Sequence, residues 1–350
     1  MDKDTILLVL TGGTICSFSD EKGEKSTDIE KAKSLIVENF RKTDSKYRGV
    51  EFENRMPIDT LSENMTLDKW NTLISALKSY DLSVYKGVVI LHGTDTLAYT
   101  SSLLSLLLTS ATVPIFLVSS QESLESETAN GNENFKTAIE LIMNGIKPNV
   151  YVPYKNSDGK MHLHLGAHLT QCAPLSNDFY SLDAKELENN KNDGVCGVIF
   201  ETNQNLLEKT GKLTPSVLKI TPYVALDYSV FNMDGIKAVV HGTYHSQTLC
   251  AEEKASDFSV FALSKCFKDQ KTGKAPEIPL FIEPCNYKEN ENKSCYETTA
   301  AAVKRGAVSV FGMTSEMVYV KALVGVALGK EGEALVDFML NENINHEKHY

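Results

Sequence analysis

Positive charge is in short supply in this chain. Its 350 residues carry 35 Lys and Arg against 46 Asp and Glu, a formal net charge of -11 with histidine neutral. Such a balance repels phosphate backbones and anionic lipid, which argues against nucleic acid and membrane partners. Cysteine is sparse and unpatterned: Cys16, Cys172, Cys196, Cys250, Cys266, Cys285 and Cys295. No two of them have the spacing of a zinc knuckle or a redox motif, and their odd number suits reduced thiols. No Gly-Lys-Ser/Thr completes a phosphate-binding P-loop. No secretory leader is expected either: the acidic start Met1-Asp2-Lys3-Asp4 runs straight into Thr5–Leu10, which reads as a short buried strand. The longest apolar stretch, 97–118, holds several Ser and Thr and is cut by Pro114. It reads as a buried helix followed by a strand, not a membrane span. A cytoplasmic location is expected.

What is present is an ordinary globular balance, 42% hydrophobic and 23% charged residues. The length suits about two domains of roughly 150 residues each. Strand-like runs alternate with helical stripes. Ile6 to Leu10, Gly87 to Leu91 and Pro114 to Ser119 are expected strands. Asp28 to Phe40, Leu67 to Leu77, Thr96 to Leu108 and Phe135 to Asn144 are expected helices. That alternation predicts an α/β fold with a mostly parallel sheet covered on both faces. A hairpin comes next, Val150 to Tyr154 and Lys160 to Leu165 around Asn156-Ser157-Asp158-Gly159. The chain then turns polar from Ser181 to Gly211, apart from an expected short strand at Val195 to Phe200. This places an N-terminal domain over 1–202, a linker over 203–214 and a smaller C-terminal α/β domain over 215–350. In the latter, strands are expected at Val217 to Ile220, Ala238 to Val240, Ile278 to Ile282 and Ala307 to Phe311, with a closing helix through Val318 to Leu328.

Two of the apolar strands end in turns that carry hydroxyls. The first is Thr11-Gly12-Gly13-Thr14-Ile15, where paired glycines permit positive φ and close approach of a ligand. The second is His92-Gly93-Thr94-Asp95-Thr96, a hydroxyl beside a carboxylate at the start of a helix, whose N–H groups suit a carboxylate or an oxyanion. Taken singly, the first is equally a tight strand-end turn and the second equally an N-cap. Together they place Thr14 and Thr94 at the carboxyl ends of parallel strands, where ligands of such sheets bind. His162, His164 and His168 form an H-x-H-x-x-x-H cluster; the favoured reading is a hairpin strand with exposed imidazoles rather than a metal site. Cys285 and Cys295 read as buried thiols.

The pair of turns resembles the two active-site signatures of the bacterial-type L-asparaginases, particularly the cytoplasmic type, and the likeness extends over nearly the whole chain. Leu61-Ser62-Glu63-Asn64-Met65-Thr66 followed by Trp70 resembles that family's substrate-carboxylate loop. Gln121, Asn130-Gly131 and Asn134 resemble the stretch after its second signature, and Thr314-Ser315-Glu316 with Lys321 its C-terminal segment. The resemblance implies a flavodoxin-like large domain, a smaller α/β domain, and a homodimer or homotetramer that needs neither metal nor organic cofactor. It implies Thr14 as nucleophile, Thr94 as second catalytic threonine and Asp95 gripping the amine of a small amino-acid substrate. Ser62 and Glu63 would contact the backbone groups of that substrate. Gly13 and Gly93 would bring the backbone up to it, with oxyanion donors near Gly93 and Thr94. Glu316 would stand at a contact near the site, or serve as a helix-start acid.

Two positions depart from the family pattern. The loop tyrosine of the family, just past a glycine here at Gly23, is replaced by Glu24. The lysine that activates the second threonine, five residues past a glycine here at Gly166, is replaced by Gln171, whose amide cannot act as a base. Glu24 is a candidate base in place of the tyrosine. The sequence therefore points to hydrolysis of the side-chain amide of L-asparagine, with L-glutamine as a second candidate. The alternative is an asparaginase-fold protein that binds an amino acid and turns it over slowly or not at all. An amidase component of a tRNA-dependent amidotransferase is disfavoured by the acidic charge and by the lack of a domain before Thr5.

Overall fold

The computed structural model describes residues 4–19, 25–173, 175–182, 185–187, 197–285 and 296–349. The chain divides into two compact units, Met1–Lys209 and Thr210–Tyr350. A short helix, Leu206–Lys209, lies within the stretch expected to be a linker.

The first unit is built on strands β1 (Ile6–Leu10), β4 (Phe52–Arg55), β5 (Gly87–Leu91), β6 (Ile115–Val118), β7 (Val150–Lys155), β8 (Met161–Leu165) and β9 (Lys185–Leu187). A separate small hairpin pairs β2 (Ser17–Ser19) with β3 (Lys25–Thr27). The seven strands lie in the order β4-β1-β5-β6-β7-β8-β9. The pairs from β4 to β7 are parallel, and β7/β8 and β8/β9 are antiparallel. Every residue of β1, β5 and β6 is buried, as helices on both faces require, so their sequences read as unbroken apolar runs. The helices are α1 (Ile29–Arg41), α2 (Leu67–Ser79), α3 (Leu97–Leu107) and α4 (Gly131–Met143). Asp28 caps α1 by accepting the Lys31 N–H, and Thr66 caps α2 by accepting that of Lys69. The mixed α/β fold with a mostly parallel sheet is as expected.

Two details of the first unit differ from the sequence expectations. Residues 197–200 form no strand: Gly197 takes a positive φ, and the Val198 N–H and carbonyl are both satisfied by the Tyr151 hydroxyl. A side chain thus replaces the ladder, and Val195 and Cys196 lie outside the described residues. Nor are the imidazoles of β8 exposed. His164 is buried and His162 half-buried on β8, which pairs with strands on both sides, and His168 is buried in the 3-10 turn Gly166–His168 that follows it.

The sheet order contains one reversal. The chain leaves β1 to form β4 on one side, then returns to form β5 on the other, so the turns after β1 and β5 flank the topological switch point. In doubly wound sheets this is where a crevice opens outside the strand ends.

In the second unit β10 (Val217–Ile220), β11 (Ala238–Gly242), β12 (Leu280–Cys285) and β13 (Val308–Phe311) form an all-parallel sheet in chain order, with no reversal. Helices α6 (Glu297–Lys304), α7 (Ser315–Ala327) and α8 (Gly332–Asn341) accompany it; α5 is the short Leu206–Lys209 helix. Helix α7 begins three residues before the expected start, capped by Thr314, and α8 was not anticipated. The two pack closely because Gly325 offers no Cβ: one there would meet Leu335 at 2.5 Å and Phe338 at 2.9 Å. Lys321 of α7 is fully buried and paired with Glu347 of the C-terminal segment at 2.6 Å.

Candidate active site

Four segments meet at the switch point, where a crevice is expected. The turn after β1 is held to β5 through Thr11, whose N–H and hydroxyl both donate to the Leu91 carbonyl, at 3.1 and 2.8 Å. Its other side is held by the segment after β4. The Gly13 N–H donates to the Thr60 carbonyl at 2.8 Å, and the Thr60 N–H to that of Thr11 at 3.1 Å. Gly13 has φ of 83°, where a Cβ is disfavoured, and a Cβ there would collide with the backbone of Gly93. A Cβ on Gly93 would in turn strike the Ser62 side chain and come within 2.9 Å of the Gly13 Cα. The two turns therefore touch backbone to backbone, and Thr14 and Thr94 each come directly after the touching residue. Both threonines are half-buried. Neither hydroxyl is hydrogen-bonded to another described residue.

The third segment is the Leu61–Thr66 loop. Ser62 is buried, and its hydroxyl engages Asp95: it donates to Oδ2 at 3.1 Å and accepts the Asp95 N–H at 3.2 Å. The Thr96 hydroxyl donates to the Ser62 carbonyl at 3.0 Å. Lys69 pins the same loop, its ammonium donating to the Thr60 hydroxyl at 2.6 Å and to the Asn64 carbonyl at 2.8 Å. Glu63 and Asp95 are exposed. The fourth segment brings Gln171, whose side-chain amide donates to the Asp95 carbonyl. Gln171 thus reaches the turn after β5.

Neither thiol near this crevice is a thiolate at neutral pH. Burial, with Asp59 and Asp28 against a hydrogen bond to Gly12, pushes Cys16 up to about 12. Burial and then the charges of Asp178 and Asp95 push Cys172 up to about 11. The site is thus one of hydroxyls, a carboxylate and backbone N–H groups.

Of the remaining candidates, Glu24 lies outside the described residues. Glu316 is buried in the first turn of α7 in the second unit. Asn130 and Asn134 are scaffolding: Asn130 accepts the Gln121 N–H and donates to the Lys155 carbonyl, while Asn134 bridges Ser119 and Lys155. Cys285 closes β12, and Cys295 lies outside the described residues. Among the described residues no group of three His, Cys, Asp or Glu is placed to hold a metal ion, and no helix is long and apolar enough to cross a membrane. Sequence reasoning missed Thr60 and Lys69, which are held in place by partners that no local pattern announces.

The N-terminal asparaginase family model matches residues 5–195, more than half of the chain. This chain belongs to the asparaginase family. Within that family it is similar to the L-asparaginase of Thermococcus kodakarensis, 31% identical over 192 residues that make up 54% of this chain and 55% of that protein. It is also similar to a glutamyl-tRNA(Gln) amidotransferase subunit of Methanococcus maripaludis, 33% identical over 163 residues, 46% of this chain and 38% of that one. The matched region thus spans about half the length of the first relative and less of the second. The solved structure of the thermostable L-asparaginase from Thermococcus kodakarensis superposes with a TM-score of 0.74 at 21% identity, covering 99% of both chains. At that identity the likeness concerns the fold, and the asparaginase fold of two α/β domains is the one adopted by this chain.

Proposed function

We propose that this member of the asparaginase family hydrolyses the side-chain amide of L-asparagine, and by the same chemistry L-glutamine, to the acid and ammonia. The observation that carries the reading is the backbone contact of Gly13 with Gly93 beside the Ser62–Asp95 hydrogen bonds. It supports the reading because it joins turns that carry two hydroxyls and a carboxylate and that lie far apart in sequence. Thr14 Oγ1 attacks the amide carbon, and the oxygen takes up negative charge against backbone N–H groups near Gly93 and Thr94. The amide nitrogen is protonated and leaves as ammonia. Water, oriented by Thr94, then opens the acyl-threonine and restores the Thr14 hydroxyl. Asp95 holds the α-ammonium of the substrate, and Ser62 and Glu63 meet its remaining backbone groups. The Thr14 proton needs a base, and Glu24 is the candidate from the adjoining loop.

The protein is proposed to work as a cytoplasmic homodimer or homotetramer without metal or organic cofactor. The test is ammonia release from L-asparagine and L-glutamine, with Thr14→Ala as control. Thr14-dependent release supports the reading, and release that survives Thr14→Ala removes the nucleophile from it.

A second reading is favoured by one contact, that of the Gln171 amide with the Asp95 loop where a lysine is expected. Without that base the crevice would bind the amino acid and turn it over slowly or not at all. Tight binding of L-asparagine with no Thr14-dependent ammonia would select it.

A further inference from the structure

His92 directly follows β5 and is fully buried, with Nδ1 2.8 Å from the carbonyl oxygen of Gly93. A carbonyl oxygen only accepts, so Nδ1 carries the proton. Burial keeps the ring neutral by depressing its pKa to about 4, against the opposing effect of the Gly93 hydrogen bond. Nε2 is then a bare acceptor, buried and without a hydrogen-bond partner among the described residues. In a trans peptide the C=O and N–H point in opposite directions. A ring that holds the Gly93 carbonyl therefore turns the Thr94 N–H away from itself, and that N–H makes no hydrogen bond to another described residue. Gly93 is closely packed, since a Cβ there would strike the Ser62 hydroxyl and meet the Gly13 Cα at 2.9 Å.

The chain uses the same arrangement at the end of β11, in His241-Gly242-Thr243. There Nδ1 lies 2.6 Å from the Gly242 carbonyl, and burial again lowers the ring to about 4. The Tyr228 hydroxyl lies 2.9 Å from Nε2. With Nδ1 protonated to meet the carbonyl, Nε2 accepts from the Tyr228 hydroxyl, so both ring nitrogens of His241 are satisfied in this strand-end latch. The latch after β5 differs in its setting, because the threonine next to it, Thr94, stands at the crevice.

We propose that His92 is a positioning residue: through Nδ1–H it fixes the Gly93–Thr94 peptide so that the Thr94 N–H meets the amide oxygen of the bound amino acid. This rests on the proposed amino-acid site and assigns one of its donors. The test compares His92→Phe, which has no donor, with His92→Asn, whose amide N–H can replace Nδ1–H. His92→Phe should lower kcat for L-asparagine by about 10- to 100-fold with KM changed less than about threefold, and His92→Asn should recover most of the loss. If the wild-type chain binds L-asparagine without releasing ammonia, hydrolysis fails but the inference stands to be read in affinity. Calorimetry should then show binding about tenfold weaker in His92→Phe and restored in His92→Asn. Equal losses in both variants overturn the inference, as does a folded His92→Phe with unaltered turnover or affinity. A wild-type chain that neither binds nor hydrolyses L-asparagine overturns both readings.

Discussion

Ser62 and Asp95, 33 residues apart, hold each other by two hydrogen bonds through a single hydroxyl, one to the Asp95 carboxylate and one from its N–H. The hydroxyl thus holds both the backbone N–H and the carboxylate of Asp95, an exposed residue. Ser62→Ala removes both bonds, one of them to a charged group, a loss of about 1.5–3 kcal/mol. If Asp95 binds the substrate ammonium, that cost appears as weaker binding. KM for L-asparagine should rise about tenfold or more while kcat falls less. A Ser62→Ala variant with unaltered KM would separate Asp95 from the ammonium.

The contact between the two turns is equally testable. Gly13→Ala must place a Cβ on the Gly93 backbone and adopt a positive φ, and neither can be relieved by a side-chain rotation. Overpacking and left-handed strain together predict a loss of about 2–4 kcal/mol in stability. Gly145→Ala, also at positive φ but with nothing within 4 Å of its Cβ, should cost less. Thermal unfolding of the two variants reads the difference. Equal destabilisation would mean that strain alone, and not the touching turns, sets the cost.

Acid should unfold this protein early. His92 and His241 are held near about 4 by burial, well below the 6.5 of a free imidazole. Below 6.5 the unfolded chain therefore binds protons that the folded one refuses, and stability falls as the pH drops. Each ring contributes up to about 1.4 kcal/mol per pH unit between 6.5 and about 4. Glu347 adds a later loss. Burial raises its carboxyl, but the Lys321 charge and hydrogen bonds from the Asn345 N–H and Lys321 outweigh this and hold it below its ordinary 4.5. Its contribution is present above that value and disappears as the pH falls through the lowered one. Melting temperature should be flat from pH 8 to 7 and drop steeply from 6 to 4. A flat profile down to pH 5 would contradict the burial of both rings as neutral imidazoles.

Legibility tracked burial. β1, β5 and β6 lie in the middle of their sheet, covered on both faces, so their apolar runs stand out. β4 is an edge strand of sequence Phe-Glu-Asn-Arg, half-buried over its first three residues and exposed at Arg55, and no periodicity marks it. Its invisibility concealed the sheet reversal, which needs β4 on the far side of β1, although both turns that flank the reversal were legible. In the proposed site, Thr14, Thr94 and Asp95 are marked in the sequence by turns that follow apolar strands. The Ser62–Asp95 hydrogen bonds are not, since a pairing across 33 residues leaves no local trace. His92 stood in full view inside a signature, but a residue that acts on its neighbour's carbonyl looks the same in sequence as any buried histidine.

Gln171 offers the sharpest test of how the crevice works. Its amide donates to the Asp95 carbonyl, and an amide has no lone pair basic enough to take a proton at neutral pH. A lysine at this position is of similar reach, can donate to the same carbonyl and, when deprotonated, can accept a proton from Thr94. General-base catalysis contributes typically about 10²–10⁴-fold, and a base introduced into a site not shaped for it should recover a part. Gln171→Lys is therefore expected to raise kcat for L-asparagine about 10- to 100-fold, more at pH 9 than at pH 7 because the ammonium must first lose its proton. Combining it with Thr94→Val should cancel the gain, since the lysine would then have no hydroxyl to activate. A gain that survives Thr94→Val would move the second catalytic role to another residue. A folded Gln171→Lys protein with unchanged kcat would show that turnover is limited elsewhere, with the Thr14 proton as the next step to examine.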